Sequence, residues 1–198
     1  MRHQRGFNLI EASVTLAVLA LLTALMAPSV VDWLRGTQVR GVAEAAQNGL
    51  QKARMEALRR NQVVTLWLVS TATPGVLDNS CALASNSSAW VISVQDPSSL
   101  CATAPSPTTA PMIVESYAGT AASGITVAGL AADGATAATS VSFNGLGQTV
   151  QSGTPLARID VTHSLTGARR LRVAISTSGA VRMCDQDVSS TDVRACPP

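Results

Sequence analysis

One feature near the N-terminus restricts the fold more than any other: residues 12–31 form a nearly continuous apolar segment. The residues that interrupt it are Ser13, Thr15, Thr23, Pro28 and Ser29. In helical form its 20 residues would rise about 30 Å, which matches the thickness of the hydrocarbon core of a bilayer. The segment therefore predicts a helix that spans a membrane.

The charges around this segment are those of a membrane anchor. Arg2 and Arg5 precede it, as expected of a span whose cytoplasmic flank is basic. Glu11 lies at its edge, where a carboxylate that enters lipid costs about 2.5 to 3.5 kcal/mol or more. A cleaved secretory signal would have a shorter apolar core of about 7 to 15 residues, followed by a small-residue cleavage site. The pattern here differs, so we expect the helix to be retained and Glu11 to need a partner.

Helical periodicity continues beyond the apolar segment. Apolar residues recur at three- and four-residue steps at Val39, Val42, Ala43, Ala46, Leu50, Ala53 and Ala57. Polar residues occupy the other faces at Arg40, Glu44, Gln47, Gln51 and Arg54. This pattern is typical of an amphipathic helix whose apolar stripe packs on a sheet. We predict one helix that ends near Arg60, with a membrane half at 7–33 and an amphipathic half at 34–61.

The rest of the chain, residues 62–198, has the pattern of a β-rich head. Short strands are predicted where the period changes to two or the chain is continuously apolar: 63–69, 89–95, 112–117, 140–143, 156–162, 171–176 and 180–183. Exposed loops are predicted where small and polar residues dominate: 71–88, 96–110 and 120–139. Glycine-containing turns at 144–147 and 177–179 predict hairpins, the second of which joins the last two strands. The expected fold class is α+β, with one long helix packed on a C-terminal antiparallel β-sheet head.

Four cysteines lie in the head: Cys81, Cys101, Cys184 and Cys196. An even number of cysteines in a Ser-, Thr- and Pro-rich region of an exported chain predicts two disulfides and an oxidising environment. Three pairings are open, of which the sequential one closes the shorter loops. A zinc site is the alternative, but neither close CxxC spacing nor neighbouring histidines support it.

Residues 5–11, Arg-Gly-Phe-Asn-Leu-Ile-Glu, resemble the class III signal of type IV prepilins and type II secretion pseudopilins. The resemblance implies that residues 1–6 are a short basic leader and that prepilin peptidase, a membrane enzyme, cuts after Gly6. It also implies N-methylation of Phe7, the new N-terminal residue. Loss of the two leader arginines would leave the mature chain formally neutral.

Within this resemblance, Glu11 and Pro28 gain roles in assembly. The family pattern implies that Glu11, fifth in the mature chain, meets the N-terminal amine of a neighbouring subunit when the helices bundle. Two opposite charges in an apolar bundle stabilise the register that pairs them. The alternative is a boundary carboxylate whose side chain extends to the membrane surface. Pro28 matches a position at which pilins carry proline, and it predicts a kink or local melting, with a simple bend as the alternative.

The end of the helix and the start of the head resemble FimT/FimU-type minor pilins and GspH-type pseudopilins; the matching stretches are 51–66, 90–96, 143–147 and 175–184. The resemblance implies a minor pilin that assembles through its N-terminal helix with other pilins, into a type IV pilus or its tip-priming complex. It also implies an inner-membrane protein with a periplasmic head before assembly, and a pilus or pseudopilus subunit afterwards. The alternatives are a GspH-like pseudopilin of type II secretion, a DNA-binding FimT-like subunit for natural transformation, and a lone membrane-anchored adhesin.

DNA binding in FimT-like proteins is associated with a Gly-Arg-x-Arg motif near the C-terminus. The matching stretch here, residues 179–182, lacks the first arginine and keeps Arg182. Arg169, Arg170 and Arg172 on the neighbouring predicted strand could supply phosphate contacts instead. Three aspartates follow at once: Asp185, Asp187 and Asp192. Because no aromatic side chains accompany the arginines to stack bases, an ordinary solvated strand surface is the alternative interpretation.

No catalytic site is predicted. His3 falls in the leader, and Ser164 cannot pair with the adjacent His163 on one strand face because neighbours on a strand point to opposite sides. The sequence contains no GxxxxGK[ST], HExxH or GxSxG motif, so no enzyme activity, cofactor or metal is expected. After Asn61, six arginines stand against eight acidic residues, which excludes a generally basic head.

Overall fold

The computed structural model describes residues 8–120, 122–165 and 167–196, except for the side chains of residues 25–28. Within these residues a single helix, α1, spans Leu9–Arg60 and is followed by eight strands. The strands are β1 Val64–Leu68, β2 Trp90–Ser93, β3 Ile113–Tyr117, β4 Ile125–Leu130, β5 Ser140–Phe143, β6 Arg158–His163, β7 Leu171–Ile175 and β8 Val181–Asp185. The predicted α+β class, one long helix on antiparallel β-structure, is confirmed.

Helix α1 ends at the predicted position because the next residue adopts a left-handed conformation. Asn61 has φ 49° and ψ 41°, a region that asparagine tolerates better than most residues. The backbone N–H groups of Asn61 and Gln62 donate to carbonyl groups of the last turn, at Leu58 and Ala57. These bonds satisfy acceptors that the helix end would leave open, and the chain turns directly into β1.

The second half of α1 packs against the head through the predicted apolar stripe. All seven predicted positions are buried: Val39, Val42, Ala43, Ala46, Leu50, Ala53 and Ala57. Gly49 lies beside Trp90 of β2, and a Cβ at that position would come within 2.8 Å of the indole ring. The helix therefore approaches the sheet closely, and the head is fixed to the same helix that carries the apolar N-terminal segment.

The head consists of two four-stranded sheets, and every strand pair in them is antiparallel. The first sheet has the order β3-β2-β1-β5 and the second has the order β4-β6-β7-β8. Leu66 from the first sheet and Ile159 from the second share one core with Leu50 of the helix. Because both sheets contribute to this core, the helix acts as the common element on which they pack.

Strand β4 lies inside segment 120–139, which was predicted to be a loop, and that prediction was wrong for Ile125–Leu130. The strand pairs with β6 over six residues, a partner about thirty residues later in the chain. Packing requires a residue without a side chain at one position of the strand: a Cβ on Gly129 would lie 2.6 Å from both the Ala138 carbonyl oxygen and a Leu68 methyl group. Pairing with β6 thus stabilises a strand although the local sequence has only a weak preference for strand structure.

Two disulfides brace the head in the sequential pairing. Cys81 and Cys101 are joined with an S–S distance of 1.99 Å, and Cys184 and Cys196 with a distance of 2.01 Å. The first disulfide is buried in a small second core beside β2 and β3. The second ties the C-terminal segment back to β8. Within the described residues no cysteine is free and no metal-ligand cluster forms.

The two predicted glycine turns meet beside the helix. The turn at 177–179 joins β7 to β8 as the predicted hairpin, and the turn at 144–147 follows β5. Gly179 packs against the backbone of Gly147 so closely that a Cβ would overlap the Gly147 carbonyl oxygen. The Nε of Arg54 donates a 2.9 Å hydrogen bond to that same oxygen. One point of contact therefore joins α1 and the turns that follow β5 and β7.

Candidate functional site

The N-terminal half of α1 presents apolar side chains on all sides. The large exposed ones include Leu9, Ile10, Val14, Leu16, Leu19 and Leu22. Within the described residues, α1 is the one helix that is long and apolar enough to cross a membrane, with a mean hydropathy of 2.3 in its apolar window and none of that window covered by the head. A helix that is apolar all round requires lipid or other helices around it.

Glu11 is the acidic residue of the first helical turn, and its side chain is exposed. Among the described residues no cation contacts this carboxylate, so the single chain supplies no partner for it there. The positive end of the helix dipole favours a carboxylate at this position by about 0.3 to 1 kcal/mol, which is small beside the cost of entering lipid. Gly6 and Phe7, the predicted cleavage and methylation residues, lie outside the described residues.

The backbone of α1 remains helical through Pro28 and on to Arg60. Two glycines farther along the helix, Gly36 and Gly41, were not singled out from the sequence. A Cβ at either position would meet nothing within 4 Å apart from the helix itself. Glycine inside a helix costs about 0.5 to 1 kcal/mol relative to alanine, and no packing against the head compensates for this cost.

Arg170 and Arg172 are engaged in ion pairs on the side of the second sheet away from the helix. The Nε and Nη2 atoms of Arg172 donate to the two carboxylate oxygens of Asp160, at 2.6 and 2.8 Å. These hydrogen bonds raise the pKa of Arg172. Arg170 lies 2.6 Å from Asp187 and donates to it from both backbone and side chain. Burial raises the pKa of Asp187, but the hydrogen bonds from Arg170 outweigh it, so the net pKa is lowered.

Arg169 and Arg182 lie apart from that pair and face a groove of about 630 Å³ between α1, β8 and the C-terminal segment. Arg169 is 65% exposed and only loosely paired, 3.8 Å from Asp185. Arg182 donates a 2.8 Å hydrogen bond from Nη2 to the backbone carbonyl of Val193. The four arginines considered for DNA binding are therefore not one cluster: two are neutralised by aspartates and two line the groove.

We call this feature the arginine groove and define it by Asp32, Trp33, Arg40, Arg169, Arg182 and Arg194. The helix side of the groove was not predictable from the sequence, because Arg40 and Trp33 are far from β8 along the chain. Trp33 carried a usable signal, since it lies two residues beyond the apolar segment and aromatic residues are enriched where a span meets water. No local pattern indicated that the head would fold back onto that position.

His163 has a structural role at the end of β6. Its Nδ1 accepts a 3.0 Å hydrogen bond from the backbone N–H of Leu165 and so stabilises the turn that follows the strand. Gly124 packs against the imidazole ring, where a Cβ would come within 2.8 Å. The Ser164 hydroxyl also lies beside Gly124, but among the described residues no hydrogen bond joins it to the histidine ring.

Comparisons with known proteins found one matching family model and two similar solved structures. A family model described as Type II transport protein GspH matches residues 42–179. A crystal structure of the type IV minor pilin FimU from Pseudomonas aeruginosa strain PAO1 matches with 17% identity and a TM-score of 0.47, over 74% of this chain and 88% of the FimU chain. A second crystal form matches with 17% identity and a TM-score of 0.45, over 73% and 90%. No curated protein matches the chain.

Proposed function

The chain belongs to the GspH family of type II transport proteins, and we propose that it is a minor pilin that assembles through its N-terminal helix into a type IV pilus or its tip-priming complex. The observation that carries the proposal is the first half of α1, which is apolar on all sides and uncovered by the head. Among the described residues, no part of the chain covers this half of the helix. Its partners are the bilayer before assembly and the helices of other pilins afterwards.

We further propose that prepilin peptidase removes residues 1–6 and that Phe7 is then methylated. Support comes from the resemblance of the N-terminal stretch to prepilin signals and from the start of α1 at Leu9. Cleavage after Gly6 would place a new amine two residues before the helix and four residues before Glu11. The amine and the carboxylate would then enter the subunit bundle at nearly the same depth, which suits pairing between neighbouring subunits.

Two glycines support close packing of subunits around the helix. Gly36 and Gly41 are not needed for contact with the head, because open space surrounds both positions. Glycine at a helix surface allows a second helix to approach closely. We propose that this stretch faces a neighbouring pilin in the assembled filament.

Replacing Glu11 with alanine tests the assembly proposal. Removal of one partner of a buried ion pair leaves the other charge unpaired and costs about 3 to 5 kcal/mol, so incorporation is expected to fall about 100-fold or more. The measurement is the amount of the variant in sheared pili relative to the amount in the membrane.

The matched control is Glu44→Ala, which removes an exposed carboxylate of the same helix that pairs with Arg40. This variant is expected to assemble normally. Undiminished assembly of the Glu11 variant would contradict the proposal and favour a lone membrane-anchored adhesin. If assembly is lost as expected, deletion of the protein distinguishes two systems, because a pilus subunit is needed for pili and a GspH-like pseudopilin for protein secretion.

DNA uptake is a weaker candidate function because two of the four candidate arginines are already paired with aspartates. Asp160 and Asp187 neutralise Arg172 and Arg170. We expect the full chain in detergent to show no saturable binding of duplex DNA at roughly 150 mM salt, since non-specific binding depends on several unpaired cations. The comparison protein replaces all four candidate arginines with glutamine. Salt-sensitive binding by the native chain that disappears in this variant would overturn the expectation and support a FimT-like role.

A further inference from the structure

The arginine groove lies where the membrane span meets the head. The apolar segment ends at Val31, and Asp32 is the first charged residue beyond it. The loop that follows β6 reaches back to this level: a Cβ on Gly167 would come within 2.8 Å of the Asp32 carboxylate. The groove thus opens at the depth of the lipid headgroups when the span is embedded in a bilayer.

The charge of the arginine groove is positive. Four of its lining residues are arginines, and two are aspartates, Asp32 and Asp185. Arg40 and Arg194 are each paired with a carboxylate at 2.7 Å, on Glu44 and Asp192, so the positive charge of the groove rests on Arg169 and Arg182. Asp32 is already paired with Arg35, at 2.9 Å. Asp185 is buried, lies 3.8 Å from Arg169 and also interacts electrostatically with Arg194. A guanidinium has five N–H donors, so Arg169 and Arg182 keep donors for a further oxygen-rich ligand.

Exposed apolar side chains lie at the same level, two of them in the arginine groove and one beside a neighbouring groove. Trp33 on the helix is 67% exposed, and Val193 on the C-terminal segment is 86% exposed. Leu165, in the loop beside Val31 and Leu34, is 53% exposed. These side chains come from three separate parts of the chain, and none of them is required to be apolar by packing within the head. Cations beside exposed apolar and aromatic groups fit a surface that offers both phosphate and acyl chains.

We propose that the arginine groove binds the phosphate headgroup of an anionic membrane lipid, with Trp33, Leu165 and Val193 dipping into the bilayer interface around it. The contact would hold the head down on the membrane until the subunit is extracted into a filament. A duplex nucleic acid fits less well, because the apolar rim has no counterpart on a sugar-phosphate backbone. The inference rests on membrane insertion of α1, which the proposed function also requires.

The test uses the full chain in bilayer nanodiscs that contain spin-labelled lipids. Electron paramagnetic resonance measures the fraction of label immobilised by the protein, for labelled phosphatidylglycerol and for labelled phosphatidylcholine. The native chain is expected to prefer phosphatidylglycerol. Because each arginine near an anionic surface contributes to the attraction, the Arg169→Gln, Arg182→Gln variant is expected to lose about tenfold or more of that preference.

The charge-matched control is Lys52→Gln, Arg59→Gln. Both residues are exposed cations with a carboxylate partner, on the half of α1 that is far from the span. This control is expected to keep the preference. A charge-retaining variant, Arg169→Lys, Arg182→Lys, is also expected to keep it, because attraction to a lipid phosphate depends mainly on charge. Loss of the preference in this lysine variant would mean that altered packing, not lost charge, is responsible, and would overturn the proposal.

Three further outcomes would overturn the lipid proposal. The first is the absence of any preference in the native chain, and the second is an equal loss in the control. The third is displacement of the label by millimolar inorganic phosphate or by duplex DNA, which would identify a soluble anion or nucleic acid as the better ligand. Failure of the minor-pilin proposal would appear instead in the Glu11 assembly measurement, which does not depend on lipid preference.

Discussion

Replacement of Phe143 with alanine is expected to lower the free energy of unfolding of the head by about 3 to 5 kcal/mol. Phe143 has the largest side chain among the fully buried residues that the structure describes. It lies opposite Val64 across the β1–β5 pair. Truncation would leave a cavity between the first sheet and the helix, which the paired strands cannot collapse to fill. For a domain of this size the melting temperature should fall by roughly 6 to 20 °C, followed by near-UV circular dichroism of the full chain in detergent.

The matched control is Leu146→Ala, three residues later, in the turn that follows β5. Leu146 is 75% exposed, so its truncation removes the apolar side chain of a surface turn and leaves no internal cavity. This substitution should change the free energy of unfolding by no more than about 0.5 kcal/mol. Equal melting temperatures for the two variants would contradict the view that Phe143 is central to the packing of the head.

The helix was predictable because its information is local. The apolar stripe from Val39 to Ala57 follows the helical period, and each of its predicted positions is buried. The end at Arg60 is marked by Asn61, whose left-handed conformation stops the helix. The β7–β8 hairpin was predictable for a similar reason, since Gly179 lies in a short turn between two apolar runs. In each case neighbouring residues carry the pattern that the structure uses.

The missed strand shows where local information ends. Ile125–Leu130 contains alanine, glycine and threonine, and its surroundings are rich in the same small residues. The strand forms because β6 pairs with it over its full length and because close packing at Gly129 excludes larger side chains. Small residues allow this close packing. Because small residues are also typical of loops, the sequence alone does not distinguish the two cases.

The arginines give the same lesson for the candidate site. Alternation of side chains along a strand predicts that Arg170 and Arg172 share one face, but it does not reveal which carboxylates pair with them. Asp160 lies on a different strand, and register alone brings it opposite Arg172. The groove likewise requires the return of the head to Asp32, a contact between residues more than a hundred positions apart. Ion-pair partners and grooves between elements therefore depend on topology that composition cannot supply.

The continuity of α1 links these observations to function. The same helix carries the uncovered apolar half and the buried stripe on which both sheets pack. If the span moves into a filament, as proposed, the head must move with it, because α1 continues as one helix from the apolar half to the buried stripe. A contact that holds the head to the membrane at Asp32 would act on this rigid connection, and its release would accompany extraction of the subunit.

The contact between the two glycine turns predicts a large effect from one methyl group. Gly179→Ala would place a Cβ against the carbonyl oxygen of Gly147 and would force a residue with a side chain to adopt φ 78°. Backbone strain and overpacking together are expected to cost about 3 kcal/mol or more of unfolding free energy. Displacement of that carbonyl would also break its hydrogen bond with Arg54, so the link between α1 and the turns would weaken. Chemical denaturation of the full chain in detergent measures the loss.

Gly153→Ala separates the two causes of this effect. Gly153 also has a positive φ, 65°, but a Cβ there would meet nothing within 4 Å. Its substitution therefore adds backbone strain without a clash and should cost only about 1 kcal/mol. A difference of about 2 kcal/mol between the variants would assign the requirement for Gly179 to the close approach of the two turns. Equal losses would show that conformation alone demands glycine at 179, and that the contact with Gly147 contributes little to the stability of the head.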